Sequence, residues 1–333
     1  MGDAGRRTTT SERDDETVGT TVMGRTVIVA ALLVTVAGAA VSGNGGQRAA
    51  ASPPTPAAPL YGVTIDRLAG IDSVVAAERS LPERPITRVY FAASEPASYY
   101  GSAVPLLHSV GQVMGELLDS SDAAGISTSA FQSRVESYLH VLGSSVDLWE
   151  VGNEVNGNWT GPYAAGAAKL TEAYDDVAGT GGRTALTLYA NEYGPDHCGD
   201  GTAELTPVQY SERYVPSAVR HGLTDVFESY YPTQCGDTYP TDARVGAELR
   251  RLHSLYPDAH LGFGEVGLPH AVTRRTLATG QSVMDWAYGL DPGLPCYVGG
   301  YFWWYASEDV FTGRALLAGS LPGAFEAEAT ALR

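Results

Sequence analysis

Basic residues are scarce in this chain. It carries 21 lysine and arginine residues against 38 aspartate and glutamate residues, which gives a formal net charge of −17, and Lys169 is the only lysine. A surface of this sign repels the phosphates of nucleic acids and anionic lipids. The composition therefore argues against a protein that binds nucleic acid through a basic patch, and we expect no nucleic-acid partner.

Cysteine is also rare, and Cys198, Cys235 and Cys296 are the only three. They form no CxxC pair, which argues against a zinc ribbon or a thioredoxin-like motif. In an exported protein we expect one disulfide, from Cys198 to Cys235, with Cys296 left as a thiol. The histidine and aspartates of the loop at 194–201 offer a metal site as the alternative, but no second ligand cluster follows at a suitable spacing. We therefore expect neither a metal nor a cofactor.

Two common catalytic signatures are missing as well. The segment GVTIDRLAGID, which includes the end of the first strand-like run, lacks the GxGxxG of a dinucleotide-binding sheet. The chain has no GxSxG nucleophile elbow, and its histidines adjoin no obvious serine motif. A serine hydrolase or metal-dependent esterase of another fold remains a rival, which serine labelling or chelator sensitivity would reveal.

The N-terminal part of the chain is predicted to be a leader and a linker. Residues 1–25 form a polar tail, and 26–43 contain an uncharged apolar run, close to the shortest membrane span. This run is either a signal peptide, with Ala37-Gly38-Ala39 as a small-x-small cleavage pattern, or a single-span membrane anchor. A Pro/Ala-rich linker follows at 44–59. We expect an extracellular protein, secreted or anchored to the outer face of the cell membrane.

From residue 60 onward, short apolar runs alternate with longer amphipathic segments. The runs are rich in β-branched and aromatic residues and lie at 60–66, 86–92, 112–118, 146–154, 184–192, 224–232, 260–267 and 298–306. Strict alternation of strands and helices predicts a parallel sheet, and eight units in about 275 residues match a closed barrel. We predict an α/β fold in which residues 60–333 form one (β/α)8 TIM barrel.

Two of these runs place a glutamate where the apolar strand gives way to a loop. The fourth ends in Trp-Glu-Val-Gly-Asn-Glu, with Glu154 last, and the seventh contains Gly-Phe-Gly-Glu, with Glu265 last. Glutamate is a poor strand former and is unfavourable to bury, whereas catalytic groups of such barrels lie at the carboxyl ends of strands. A pair of carboxyl groups across a cleft can cleave a glycosidic bond.

These motifs resemble those of glycoside hydrolase clan A, a superfamily of retaining TIM-barrel glycosidases. WEVGNEVNGNW is similar to the clan's acid/base motif on strand four, GFGEVGLP to its nucleophile strand, and GGYFWWYA to its eighth strand. The resemblance implies Glu154 as acid/base and Glu265 as nucleophile. It further implies that Asn153 contacts the substrate 2-hydroxyl and that Tyr231 steadies the nucleophile.

The eighth-strand aromatic residue of the clan commonly forms the floor of the sugar site, so Trp303 or Trp304 is expected to stack on the sugar. Adjacent strand residues point to opposite faces, so only one should face the cleft, and we favour Trp303. The clan often has an arginine near the end of its second strand and a histidine on its third. Here Arg88 lies early in run two, and run three has no histidine. Glu192, also at the end of an apolar run, is the competing glutamate if the strands are miscounted.

The sequence thus predicts a retaining glycoside hydrolase that acts without a cofactor on an extracellular oligo- or polysaccharide. The resemblance favours β-linkages, and we expect a monomer. The alternative is an inactive TIM barrel that binds carbohydrate.

Overall fold

The computed structural model describes residues 58–194, 198, 204–312 and 315–332. The predicted leader at 26–43, nearly all of the linker, and the histidine and aspartates of the 194–201 loop lie outside these residues. Within the described ranges, no helix has the length and apolar character needed to cross a membrane.

Eight parallel strands close into a barrel in which each strand pairs with its neighbours in sequence, and the last pairs with the first. They are β1 (Leu60–Ile65), β2 (Pro85–Tyr90), β3 (Gln112–Glu116), β4 (Leu148–Gly152), β5 (Thr184–Tyr189), β6 (Asp225–Tyr230), β7 (His260–Val266) and β8 (Tyr297–Trp303). Each coincides with one of the eight predicted runs, so the predicted (β/α)8 barrel is confirmed.

Helices connect the strands around the outside. They are α1 (Ile71–Glu78), α2 (Ala103–His108), α3 (Thr128–Leu142), α4 (Tyr163–Gly179), α5 (Pro207–Tyr214), α6 (Ser217–Gly222), α7 (Asp242–Leu255), α8 (Leu277–Tyr288), α9 (Ala306–Asp309) and α10 (Leu321–Ala331). Helix α3 shows how the sequence sets such an element. The Ser127 hydroxyl caps its first turn by accepting the Ala130 amide, and Phe131, Val135, Tyr138 and Leu142 form its buried face.

The barrel interior is built in layers, because side chains two residues apart on a strand point to the same side. An apolar layer consists of Leu60, Ile86, Met114, Leu148, Ala185, Phe227, Val298 and Phe302. A second, larger apolar core contains most of the buried side chains of the helices together with the other strand residues.

A polar layer follows two residues further along five consecutive strands. Its members are Arg88 on β2, Glu116 on β3, Glu150 on β4, Thr187 on β5 and Ser229 on β6, and all are buried. The inward positions therefore change from apolar to polar near the carboxyl ends of the strands, where barrel enzymes carry their chemistry.

A disulfide joins Cys198 to Cys235, with Cα atoms 4.6 Å apart. It links the segment after β5 to the segment after β6, as predicted. Cys296 is a free, partly buried thiol.

Candidate active site

A pocket of about 440 Å³ lies at the carboxyl ends of strands β4 to β8. Its lining residues are Glu154, Asn158, Trp159, Tyr189, Glu204, Tyr231, Gln234, Glu265, Leu268, Pro269 and Trp304. The two glutamates singled out from the sequence therefore open into one cavity. The concave shape, with aromatic rings beside carboxyl groups, is typical of a small-molecule site.

Glu265, on β7, has three polar partners. Its Oε2 lies 2.9 Å from Nη1 of Arg88, and its Oε1 accepts a hydrogen bond of 2.5 Å from the Tyr231 hydroxyl. The Asn153 amide donates to Oε2 at 3.5 Å. A carboxylate that contacts a cation and accepts a phenolic hydrogen bond is stabilised in its ionised form.

Glu154 lies two residues beyond β4 and has only neutral partners. Its backbone φ is 45°, in the left-handed region that is uncommon for a residue with a side chain. Its amide donates to the Thr187 carbonyl at 2.8 Å. Its two carboxyl oxygens accept hydrogen bonds from the Ser120 hydroxyl, at 2.7 Å, and from the Ser229 hydroxyl, at 2.6 Å. These contacts fix the carboxyl group in the pocket without placing a cation against it.

Both carboxyl groups have raised pKa values because burial disfavours their charged forms. Burial raises the pKa of Glu265 to about 8, with the Arg88 guanidinium lowering it, the Glu154 charge raising it and the Tyr231 hydrogen bond lowering it. Burial raises the pKa of Glu154 as well, against the hydrogen bonds from Ser229 and Ser120. The Arg88 contact stabilises the charged form of Glu265, whereas no cation contacts Glu154.

Arg88 is the centre of the polar layer beneath the pocket. Its side chain is fully buried and contacts Glu150 at 2.7 and 3.2 Å, Glu116 at 3.1 Å and Glu265 at 2.9 Å. The Thr187 hydroxyl donates to Glu150. Burial raises the pKa of Glu116 well above its usual range, against the nearby Arg88 charge. Burial thus disfavours the charged form of Glu116, while Glu150 and Glu265 also contact the guanidinium.

The two departures noted in the sequence thus have a structural explanation. Arg88 lies early in the predicted run but is the fourth of the six residues of β2, and its long side chain reaches Glu265 from the layer below. The third strand lies where it was predicted, and its last residue, which contacts Arg88, is Glu116 rather than a histidine.

The expectation that Trp303 faces the cleft is wrong. Trp303 is fully buried and its indole N–H donates to Asp309, whereas Trp304 lines the pocket and its ring lies 5.2 Å from the Arg88 guanidinium carbon. Tyr301 and Phe302 have φ values of 58° and 29°, and the pairing register of β8 shifts next to them. The strand ends at Trp303, so the regular alternation does not determine which tryptophan meets the pocket.

The competing glutamate, Glu192, lies elsewhere. It lines a separate cavity together with Arg244 and Glu248, and its backbone carbonyl accepts a hydrogen bond from the Arg244 side chain. The sequence reasoning missed Ser120 and Ser229, which hold Glu154. Ser229 could have been found, since it lies two residues after the inward-facing Phe227 on β6.

No group of three or more histidine, cysteine, aspartate or glutamate side chains suited to a metal ion is found among the residues that the structure describes. The loop that suggested a metal in the sequence lies largely outside them.

Comparison with known proteins gives a fold but no close relative. No family model matches the sequence, and no curated protein matches it. Among solved structures, the chain is similar to a GH10 xylanase from Bispora sp. solved with xylobiose, with 13% identity and a TM-score of 0.52 over 74% of this chain and 85% of that one.

Two further structures resemble it to the same degree. One is a GH5-4 broad-specificity endoglucanase from an uncultured bacterium, with 12% identity and a TM-score of 0.52 over 80% of this chain and 85% of that one. The other is a β-1,3-glucanase and pollen allergen of Cryptomeria japonica, with 15% identity and a TM-score of 0.50 over 74% and 88%. The TIM barrel that the resemblance to clan A implies is confirmed, and the chain shares this fold with these three glycoside hydrolases.

Proposed function

We propose that this protein is a retaining glycoside hydrolase that cleaves an O-glycosidic bond by double displacement. The observation that carries the proposal is the unequal treatment of two buried carboxyl groups in one pocket. Glu265 contacts a guanidinium and a phenol, whereas Glu154 contacts only serine hydroxyls. Two carboxyl groups whose surroundings favour opposite protonation states are the requirement for acid and nucleophile at the same pH.

In the first step, the ionised Glu265 attacks the anomeric carbon while the bond to the leaving oxygen breaks, and Glu154 gives its proton to that oxygen. This forms a glycosyl ester on Glu265. In the second step, water attacks the anomeric carbon, Glu154 takes a proton from it, and Glu265 leaves as a carboxylate. Two inversions give net retention of configuration.

The remaining contacts suit this sequence. Asn153 lies beside Glu265 and donates to it at 3.5 Å, a position from which its amide can reach a 2-hydroxyl of the bound sugar. Its oxygen accepts from the Ser120 amide at 3.0 Å, which fixes the orientation of the side chain. The exposed face of Trp304 offers an apolar platform for the sugar ring. Trp303, being buried, is not proposed to touch the substrate.

We propose an extracellular oligo- or polysaccharide as substrate, with β-linkages as the resemblance to clan A favours. A disulfide forms and persists in oxidising compartments, and the bond between Cys198 and Cys235 supports an exported protein.

The test is a screen of the protein against aryl glycosides and β-linked polysaccharides, with Glu265→Ala and Glu154→Ala beside it. We expect hydrolysis with retention of the anomeric configuration, which proton NMR of the first-formed product would show. Glu265→Ala should abolish turnover, and azide should restore it with an inverted glycosyl azide as product. Glu192→Ala is the matched control, because Glu192 ends the fifth predicted run, next to the run that ends in Glu154, but lines a different cavity.

Turnover that survives Glu265→Ala would overturn the assignment of the nucleophile. Sugar binding in calorimetry without turnover on any substrate would instead support the inactive carbohydrate-binding barrel.

A further inference from the structure

Helix α10 carries a buried carboxyl group that the proposed mechanism does not use. The other buried residues of this helix are apolar: Leu321, Ala324, Phe325 and Ala329. Glu328 is fully buried on the same helix. Burying a carboxyl group is unfavourable unless polar partners compensate for the lost water. An apolar side chain would pack here at a lower cost, so Glu328 needs an explanation beyond packing.

The partner of Glu328 is the backbone of strand β8. Its Oε1 accepts a hydrogen bond of 3.2 Å from the Gly300 amide. A Cβ added at Gly299 would overlap the same oxygen, so any side chain at this position would displace the carboxyl group. The sequence thus has a glycine where the carboxyl group approaches the strand.

This stretch of β8 is a bulge. Four consecutive residues have φ values between 29° and 94°, in the left-handed region: Gly299, Gly300, Tyr301 and Phe302. From Gly300 to Trp303 the strand advances by three residues, whereas its partner β1 advances by two, from Tyr61 to Val63. One residue is therefore extra, as in the bulges that are found next to active sites. Residues with side chains persist in the left-handed region only where the surrounding structure holds them there.

Both neighbouring strands leave room for the bulge. A Cβ added at Gly62, on β1, would clash with the Gly300 carbonyl oxygen, and one added at Gly262, on β7, would clash with the Gly299 carbonyl oxygen. The Thr64 hydroxyl donates to the Phe302 carbonyl at 3.0 Å. Residues of β1 and β7 thus accommodate the bulge within the sheet, and Glu328 holds it from the side of the helices.

The bulge decides which tryptophan reaches the pocket. One extra residue moves every later side chain to the opposite face of a strand. Trp303 is turned away from the pocket, and its indole N–H donates to Asp309 at 3.0 Å. Trp304 lines the pocket, and its amide donates to the Val266 carbonyl at 2.8 Å. Without the extra residue, ordinary alternation would exchange the two faces.

We propose that Glu328 is a positioning residue for the sugar site. By accepting the Gly300 amide it holds the β8 bulge, and the bulge directs Trp304 into the pocket. This inference rests on the proposed function, in which Trp304 is the platform for the sugar ring, and it adds a remote residue on which that platform depends. Glu328 is not part of the pocket lining, so its effect on the substrate is indirect.

The variant that tests this is Glu328→Leu, which keeps an apolar packing volume and removes the acceptor. Glu328→Gln is the conservative variant, because its amide oxygen can still accept from Gly300. Burial raises the pKa of Glu328 well above its usual range and so disfavours the charge that glutamine lacks. Phe325→Leu is the matched control, since it loosens the packing of the same helix and leaves this hydrogen bond in place.

The first readout is the position of Trp304 itself, measured by fluorine NMR of protein labelled with 5-fluorotryptophan. The signal of Trp304 is the one that is missing from the labelled Trp304→Phe variant. We expect Glu328→Leu to move this signal, and Glu328→Gln and Phe325→Leu to leave it at the position of the parent. A purely structural role of Glu328 would lower Tm without this change.

The second readout is kinetic, on the oligosaccharide or polysaccharide with the highest turnover in the screen. We expect Glu328→Leu to lower kcat/KM by about 10-fold or more, mainly through KM, because a lost apolar contact in a specificity pocket weakens recognition by about 10- to 200-fold. In a Trp304→Ala background the same substitution should change kcat/KM by less than about twofold, since the effects of residues that act through one contact do not add. Glu328→Gln should behave like the parent.

An unmoved Trp304 signal in Glu328→Leu would overturn the inference, and so would equal losses of kcat/KM with and without Trp304. If Glu328→Leu does not fold, as judged by circular dichroism, Glu328→Asp decides, because its shorter side chain draws the carboxyl group away from Gly300 and should move the same signal. A parent that hydrolyses no substrate would refute the proposed function, whereas the NMR comparison would still decide whether Glu328 positions Trp304.

Discussion

Replacing Arg88 by methionine tests the charge balance beneath the pocket. The side chain is fully buried and is the cation that Glu116, Glu150 and Glu265 share. Methionine fills a comparable apolar volume but carries no charge, so the carboxyl groups lose their partner. Removing one member of a buried ion pair destabilises a protein by about 3–5 kcal/mol. In a domain of this size 1 kcal/mol shifts Tm by about 2–4 °C, so we expect a fall in Tm on the order of 10 °C.

The same substitution should move the pH profile. The Arg88 charge lowers the pKa of Glu265, which burial has raised to about 8. Without Arg88 this pKa rises further, and a smaller fraction of the nucleophile is ionised at neutral pH. We expect the acidic limb of kcat/KM to move to higher pH, with activity at pH 7 falling about tenfold for each unit of the shift.

The assays are differential scanning calorimetry and kcat/KM against pH, with Arg79→Met, at an exposed arginine, as the control. Adding Glu150→Gln to Arg88→Met should restore part of the lost stability, because Glu150 makes two of the contacts to the guanidinium. Adding Glu116→Gln should restore less, since burial raises the pKa of Glu116 and so disfavours its charged form. A Tm within about 1 °C of the parent, together with an unmoved acidic limb, would refute the reasoning.

Two further predictions follow from buried carboxyl groups. The charge of Glu154 raises the pKa of Glu265, so Glu154→Gln should move the acidic limb of kcat/KM to lower pH. The assay is the residual hydrolysis of a glycosyl fluoride, whose leaving group needs little help from an acid. An unmoved limb would mean that the two carboxyl groups do not interact. Burial raises the pKa of Glu78 to about 7, although the hydrogen bond from Thr87 lowers it. The folded state therefore binds this proton more tightly than the unfolded state does. The stability that protonated Glu78 contributes is lost as pH rises from about 4.5 through 7. Glu78→Gln should therefore flatten the fall in Tm between pH 5 and 8, and equal slopes for parent and variant would contradict this.

The strands of the barrel could be predicted because their signal is local. Runs such as ITRVYFA and HLGFGEVG carry the β-branched and aromatic residues of buried strands, and amphipathic segments separate them. Once eight such units alternate, closure into a barrel follows from size and topology, and the carboxyl ends of the strands must meet at one rim. This brought Glu154 and Glu265 to the same pocket in the prediction, as in the structure.

The choice between Trp303 and Trp304 could not be predicted, because β8 is irregular. Alternation of side chains holds only while the backbone stays extended, and Tyr301 and Phe302 take positive φ values. Ser120 and Ser229 were missed for a different reason. Alternation along β6 predicts that Ser229 points inward, but Ser120 lies four residues beyond β3, and only the closed barrel shows that these two meet the same carboxyl group.

The layered interior also explains why the two glutamates are not interchangeable. Arg88 lies two residues beyond Ile86, so it points into the barrel directly above the apolar layer, where no water competes for its charge. From there its Nη1 reaches Glu265, whereas Glu154, lifted beyond the end of β4 by its left-handed backbone, meets only hydroxyl groups. The position of one cation in the inner layer thus stabilises the charged form of Glu265, and this supports our proposal that Glu265 is the nucleophile. A mechanism with the two roles exchanged would place the proton on the carboxyl group that contacts the guanidinium, which is the arrangement that the electrostatics of this layer opposes.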